Sequence, residues 1–502
     1  MKKNFKRLVL VSTLVVLMLA TTLPAMGAPE KVRVFVEFAP GAKGKVQQLL
    51  NQEGAEFHYT FDDLNSFVVS LPEAALKGLA KNPNVVEIEE DVPRYPIKST
   101  AVEAAVGTAA LWSDVTAYDG AEVLPWGVQA VQAPQAWDAA VPATGAGVTV
   151  CIIDTGYFQD HEDLKDSIGG TAQLDAPYTT DGYGHGSHVA GTIAAIDNEI
   201  GVIGVSPDVD LYIVKYFGND GAATFASDLI AAGNDCAANG ANIISMSLGG
   251  GRSSRREERA FDSLYADGIL SIAAAGNDGN SVLSYPASYG SVVSVAALNS
   301  NEEWADFSQY NSAVEIAAPG VNVLSTVPFI DSSTVVVDGV TYNGIHVEFS
   351  GRGDVSGALV DGGSCDSIGS WSGKVVLCER GVISFADKIL NAEAGGGVAA
   401  LIYNNVPNEE LYATMGAEYD TIIGLGFSQE TGQYLVANKL GSTATVTSTY
   451  DWPASGYEAW QGTSMATPHV SAVAALLWSV NPTATNVEIR EAMNATAKDL
   501  GA

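Results

Sequence analysis

Three short strings carry side chains that could do chemistry together. VTVCIID ends on Asp154 and runs into Thr155-Gly156, GHGSHVAGTIAAI holds His185 at a glycine-rich turn, and GTSMATPHVSAVAALLWSV sets Ser464 ahead of a long apolar run. Aspartate, histidine and serine make a hydrolytic centre when the carboxylate fixes the imidazole tautomer and the imidazole takes the hydroxyl proton. Each string also has an ordinary explanation. Aspartate starts turns, and Thr463 or Ser464 could simply cap a helix. His185 and His188 form an H-x-x-H pair, but no third ligand or general-base glutamate stands in the metalloprotease register, so His188 reads as a packed helix residue.

The surrounding sequence contains the elements that must hold these groups. From about Ala121 to Pro328, β-branched runs (Val148–Ile153, Leu211–Lys215, Ile243–Met246, Ile269–Ala274, Val292–Ala296) alternate with helical segments. That pattern predicts an α/β domain with a parallel sheet covered on both faces. Functional groups in such sheets gather at the carboxyl ends of strands, where Asp154 falls. A helix starting near Ser464 would give its hydroxyl free backbone N–H groups and partial positive charge. Between about Phe329 and Ala454 the texture becomes glycine-rich and β-like, with one helix near Phe385–Ala394, and the α/β pattern returns at Gly462. One domain is therefore expected to be inserted in another. Ahead of both, strands at Lys31–Phe38, Ser66–Leu71 and Val85–Glu89 alternate with helices near Lys43–Glu53 and Pro72–Lys81, a small α/β sandwich. Residues 93–120 read as an exposed linker.

The strings CIIDTG, GHGSHVAGT and GTSMATPH, in the order Asp, His, Ser, resemble the subtilisin-like serine proteases. The departures are hydroxyl for hydroxyl, at Ser187 and Thr467. The resemblance implies that Ser464 is the nucleophile, His185 the general base and Asp154 its orienting carboxylate. ISMSLGG implies a substrate-binding strand at Ser247, Leu248 and Gly249, and AAAGNDG an oxyanion-binding Asn277. Ala274, Gly276 and Ser284 correspond to the primary specificity pocket, whose small lining suits bulky apolar side chains, with Asp278 at the rim tolerating a cation. Glu122, Asp163 and Asn198, with the carbonyls of Ile196, Ile200 and Val202, match a structural Ca2+ site, a hard oxygen set suited to that ion; no organic cofactor is expected. Residues 31–95 resemble a ferredoxin-like propeptide that inhibits in cis, cut somewhere between Tyr95 and Ala121. WSGKVVLCERGVISFADKILNAEAGGGVAALIYNN resembles a β-rich protease-associated domain, expected over 329–454. Past NATAKDLGA the family continues with a glycine-rich stretch and a closing helix.

Composition bears on partners and compartment. The 502 residues include 58 Asp or Glu against 25 Lys or Arg, for a formal charge of −33. Nucleic acid is a poor partner for such a chain, and so is an anionic membrane surface. With 47% hydrophobic residues the chain is too apolar for a disordered acidic tail. Lys2, Lys3, Lys6 and Arg7 precede an apolar run from Leu8 to Ala20 and then Pro24, Ala25 and Gly27. This is the order of a secretory signal, 1–27, too short to span a bilayer. Of the four cysteines, Cys365 and Cys378 lie close enough in a turn-rich stretch to pair. Cys151 in a strand and Cys236 in a helical run read as buried thiols, their pairing left open. Arg252, Arg255 and Arg256 read as a solvated loop and a candidate self-cleavage site. The expectation is a secreted, extracellular, monomeric serine endopeptidase acting on proteins or peptides and made as a zymogen; the alternative is a catalytically silent binder using the inserted domain.

Overall fold

A computed structural model describes residues 31–97, 99–101, 115–117, 122–174, 176–219, 221–328, 330–347, 350–407, 411, 413–415, 421–451 and 456–501. The expected targeting segment 1–27 lies outside them, as does most of the stretch 102–121. The chain forms two compact units, one running to Thr326 and resuming at Glu458, the other Val327–Tyr457.

The first unit begins with β1 (Lys31–Phe38), α1 (Lys43–Gln52), β2 (Glu56–Phe61), β3 (Ser66–Pro72), α2 (Glu73–Leu79) and β4 (Val85–Glu90). The sheet order β2-β3-β1-β4 with this βαββαβ succession is the ferredoxin-like arrangement. β2, an edge strand, was missed in the sequence, although EFHYTF alternates polar and aromatic residues as a strand should. The sheet is apolar on both faces. Val34, Val36 and Phe38 pack with Val46 and Leu50 of α1, while Phe35, Phe61 and Val68 pack with Ile230 and Ala260. Each such side chain contributes roughly 1.5–3 kcal/mol when fully buried. The chain leaves this sheet as β5 (Pro93–Pro96).

Next come β6 (Thr149–Asp154), β7 (Gly169–Ala172), α3 (His185–Ala194), β8 (Asp210–Lys215), β9 (Thr224–Phe225), α4 (Ala226–Ala238), β10 (Ile243–Met246), β11 (Leu248–Gly249), α5 (Arg255–Ala266), β12 (Leu270–Ala274), β13 (Val292–Leu298) and β14 (Ile316–Pro319). After the second unit, α6 (Thr463–Val480) and α7 (Asn486–Thr496) complete the first. Seven strands form a sheet in the order β7-β8-β6-β10-β12-β13-β14, every pairing parallel. The two short edge strands, β7 and β14, escaped the sequence reading. Strand order reverses at β6, so the end of β6 is the topological switch point where α/β sheets bind ligands. Along β6 the side chains alternate: Val150 and Ile152 join the core formed with α3 and α6, and Cys151 and Ile153 the core under α4 and α5. Cys151 is bonded to Cys236 of α4, which corrects the reading of two buried thiols.

The second unit carries an eight-stranded sheet with helices Phe385–Ala394 and Gln429–Asn438. The second helix was missed in the sequence; it is capped by Ser428, whose side chain accepts from Thr431 N. Cys365 and Cys378 are bonded there. Among the described residues, no helix is long and apolar enough to cross a membrane.

Candidate active site

Asp154 is the last residue of β6, and His185 the first of α3. Both are buried. Asp154 Oδ1 lies 2.7 Å from His185 Nδ1 and also accepts from Thr155 N at 2.7 Å. Asp181 fastens the turn between them. It accepts from Thr155 Oγ1, Gly184 N, Ser187 N and Ser187 Oγ, each at 2.8 Å. Burial alone would push the His185 imidazole down, but the carboxylates of Asp154 and Asp181 outweigh it and raise its pKa. His185 Nε2 is buried without a hydrogen-bond partner among the described residues. His188 behaves differently. Its Nε2 lies 3.1 Å from the carbonyls of Val323 and Glu458, its ring stacks on Trp460, and burial lowers its pKa to about 3.

Ser464 is the second residue of α6. Pro468, one turn on, has no N–H to give the Ser464 carbonyl. Ser247 Oγ takes that place, donating to Ser464 O at 2.8 Å, so the serine turn is tied to the strand expected to bind substrate. Asn277 follows β12 at the carboxyl end of the sheet. Its Oδ1 accepts from Thr463 N at 2.9 Å and Thr463 Oγ1 at 2.8 Å, which identifies Nδ2 as the donor end of the amide. Gly462 has φ 156°, and a Cβ there would stand 2.9 Å from Asn277 Nδ2. Only glycine leaves that amide room. Ser464 Oγ is not bonded to His185; it faces Ile97 O at 3.3 Å and Ser247 O at 3.4 Å.

The cleft between these groups holds the protein's own chain. β5 lies between β9 and β11, pairing antiparallel with both: Arg94 opposite Thr224, Tyr95 opposite Gly249, Pro96 opposite Leu248. Ile97 N then donates to Ser247 O at 3.4 Å. Beyond residue 98, Thr100 and Ala101 pair with Gln461 and Trp460. Segment 93–101 was read as exposed linker. Its described backbone instead pairs with three strands, at Thr224–Phe225, Leu248–Gly249 and Trp460–Gln461. A Cβ on Gly249 would meet Ser284 Oγ at 2.6 Å and Ile97 Cδ1 at 3.4 Å, so Ser284 and the Ile97 side chain share one recess. Ala274 is buried at the end of β12, and Gly276 directly precedes Asn277.

Glu122, Asp163 and the loop 196–202 also come together. Glu122 Oε1 accepts from Asn198 N at 3.1 Å and Asp163 Oδ2 from Val202 N at 2.9 Å, with both carboxylates buried. Ile196 N donates to Asp163 O, and Asn198 Oδ1 accepts from Ile200 N. Two buried carboxylates beside one loop of carbonyls form an oxygen set that fits Ca2+. The arginine cluster departs from expectation. Arg256 is fully buried on α5 and paired with Glu37, Glu87 and Glu89, while Arg252 pairs with Glu90 and Arg255 with Glu87. These are contacts to the N-terminal sheet; Arg252 and Arg255 stay exposed, while Arg256 does not. Sequence reasoning also missed Asp181, Thr463 and Glu257: the last two act through partners remote in the chain, and Asp181 through backbone N–H groups of its own turn.

A model of the subtilase family matches residues 145–351 and 423–502, and one of the PA domain matches 355–435. Subtilisin BL of Lederbergia lenta is 46% identical over 209 residues, 41% of this chain and 76% of that protein. An alkaline protease of Alkalihalobacillus alcalophilus is 38% identical over 302 residues, 60% of this chain and 72% of its own length. Among solved structures, fervidolysin from Fervidobacterium pennivorans, described as a keratinolytic enzyme related to subtilisin, aligns with a TM-score of 0.58 over 94% of this chain and 58% of that one. At 22% identity it supports the fold alone. With a family model covering more than half its length and proteases as its relatives, the chain belongs to the subtilase family and is a subtilisin-type serine endopeptidase carrying an inserted PA domain.

Proposed function

We propose that this protein is made as a secreted zymogen that cuts itself after Ile97 and then hydrolyses protein substrates with Asp154, His185, Ser464 and Asn277. The observation that carries the reading is the Ile97 carbonyl, 3.3 Å from Ser464 Oγ, on a strand paired as a substrate would be. Ser464 Oγ bonds to the Ile97 carbonyl carbon while its proton passes to His185 Nε2, the nitrogen that otherwise has no partner. Asp154 stabilises the imidazolium through Nδ1–H, and Asn277 Nδ2 with the Ser464 N–H holds the oxyanion. The tetrahedral state collapses, the C–N bond to residue 98 breaks, and His185 returns the proton to the leaving amine. Water then attacks the acyl-enzyme, giving one proton through His185 to Ser464 and leaving a carboxylate on Ile97.

The N-terminal sheet acts here as the inhibitor, since its exit strand fills the substrate groove. Glu122, Asp163 and Asn198, with the carbonyls of Ile196, Ile200 and Val202, would hold a Ca2+ that supplies stability and takes no part in the reaction. The test is S464A in a host lacking proteases. We expect an intact chain and no casein hydrolysis, whereas the wild type yields a mature chain beginning at Lys98. Normal processing of S464A would sink the reading.

A further inference from the structure

Numbered from the Ile97 carbonyl, Arg94 is the fourth residue back along the strand, and its side chain is fully buried. Its Nε donates to Glu257 Oε1 at 2.8 Å and its Nη2 to Oε2, a two-pronged pairing. Glu257 is itself fully buried, in the first turn of α5, where its N–H is capped by Ser254 Oγ at 3.3 Å. The Tyr289 hydroxyl lies 2.7 Å from Glu257 Oε2, and Ser254 N donates to that hydroxyl at 2.8 Å. The carboxylate is thus held rigidly against the buried Arg94 side chain, in a recess of its own. Tyr95, the next residue, is 49% exposed, so the strand turns alternate side chains into the enzyme and out of it. Arg94 leaves with the N-terminal segment after cleavage; Glu257 and Tyr289 stay.

We propose that Glu257 is a specificity-determining residue and that the mature enzyme prefers extended peptides with arginine four residues ahead of the scissile bond. The inference rests on the reading that Ser464 cuts after Ile97. A neutral side chain in this recess would cover the carboxylate and leave it without a counter-charge, and an acidic one would repel it. Lysine presents one ammonium where arginine presents a fork matched to both oxygens, so it should rank between arginine and alanine.

The test uses internally quenched peptides Xaa-Tyr-Pro-Ile-Lys-Ser-Thr, with Xaa Arg, Lys, Ala or Glu, and mature enzyme prepared from the full chain. We expect kcat/KM for Arg to exceed that for Ala by at least roughly tenfold, with Glu lowest, and E257Q to bring the Arg-to-Ala ratio within about threefold. A wild-type ratio near one, or an unchanged ratio in E257Q, overturns the proposal while leaving the protease reading intact. If the wild type cleaves neither these peptides nor casein, both fall. Should E257Q not accumulate, R94A in the full chain is the second variant: slower appearance of the cut is expected, and an unchanged rate overturns the inference.

Discussion

At the scale of single residues, the active site depends on which atom of each polar group is already committed. Asn277 accepts from Thr463 through its carbonyl oxygen, which orients its amide. Replacing it by alanine should lower kcat by about 10²–10³ with little change in KM, the range known for the oxyanion asparagine of this family. Thr463 is a positioning residue. T463V removes one of the two donors to Asn277 and should cost about tenfold in kcat, while T463S, which keeps the hydroxyl, should restore it. His185 sets the pH dependence. Its pKa is raised, and only the neutral imidazole accepts the Ser464 proton. Log kcat/KM should therefore rise with unit slope from the acid side and level off above an inflection higher than 6.5, the ordinary histidine value. An inflection below that value would contradict the electrostatic role given to Asp154.

At the scale of elements, α5 carries two sets of contacts on its first turn. Arg256 turns to Glu37, Glu87 and Glu89 of the N-terminal sheet, while Glu257 turns into the substrate groove. All three carboxylates that pair with Arg256 belong to that sheet, so every one is lost when it leaves. Arg252 is 61% exposed and its partner Glu90 57%, and a pair so open to water contributes little. R256A in the full chain should thus speed release of the cleaved segment by on the order of a hundredfold, and R252A should barely change it. The readout is the lag before caseinolytic activity appears, and equal lags in the two variants would contradict the ranking.

At the scale of the whole molecule, two distant ties hold the first unit together. The Cys151–Cys236 bond closes a sequence separation of 85 residues and joins β6, which ends on Asp154, to α4. The double variant C151A/C236A should lose roughly 2–5 kcal/mol of stability, read from denaturant midpoints. The Glu122–Asp163–Asn198 set is the second tie, and EDTA should lower the melting temperature with CaCl2 restoring it. E122Q should blunt that response; an equal EDTA effect in E122Q would place the ion elsewhere. The formal charge of −33, counted after its 25 Lys and Arg, should keep the molecule dispersed by self-repulsion.

The sequence by itself determined the family and the parallel core, and its motifs single out Asp154, His185, Ser464 and Asn277 as candidates. Those signals are local: an apolar strand ending on a carboxylate, a glycine turn into a helix, a serine at a helix start. The edge strands β7 and β14 were not legible, because strands of four residues at a sheet edge bury too little to impose a pattern. Only the tertiary structure decided which residues after the N-terminal sheet enter the cleft, and in what register. Pro93 to Ala101 show no periodicity of their own, since their backbone groups are satisfied by edges formed more than a hundred residues later, at Thr224–Phe225, Leu248–Gly249 and Trp460–Gln461. The same distance hid Glu257 from Arg94 and Thr463 from Asn277. A buried charge or a fixed amide is specified by its partner, and the fold chooses the partner.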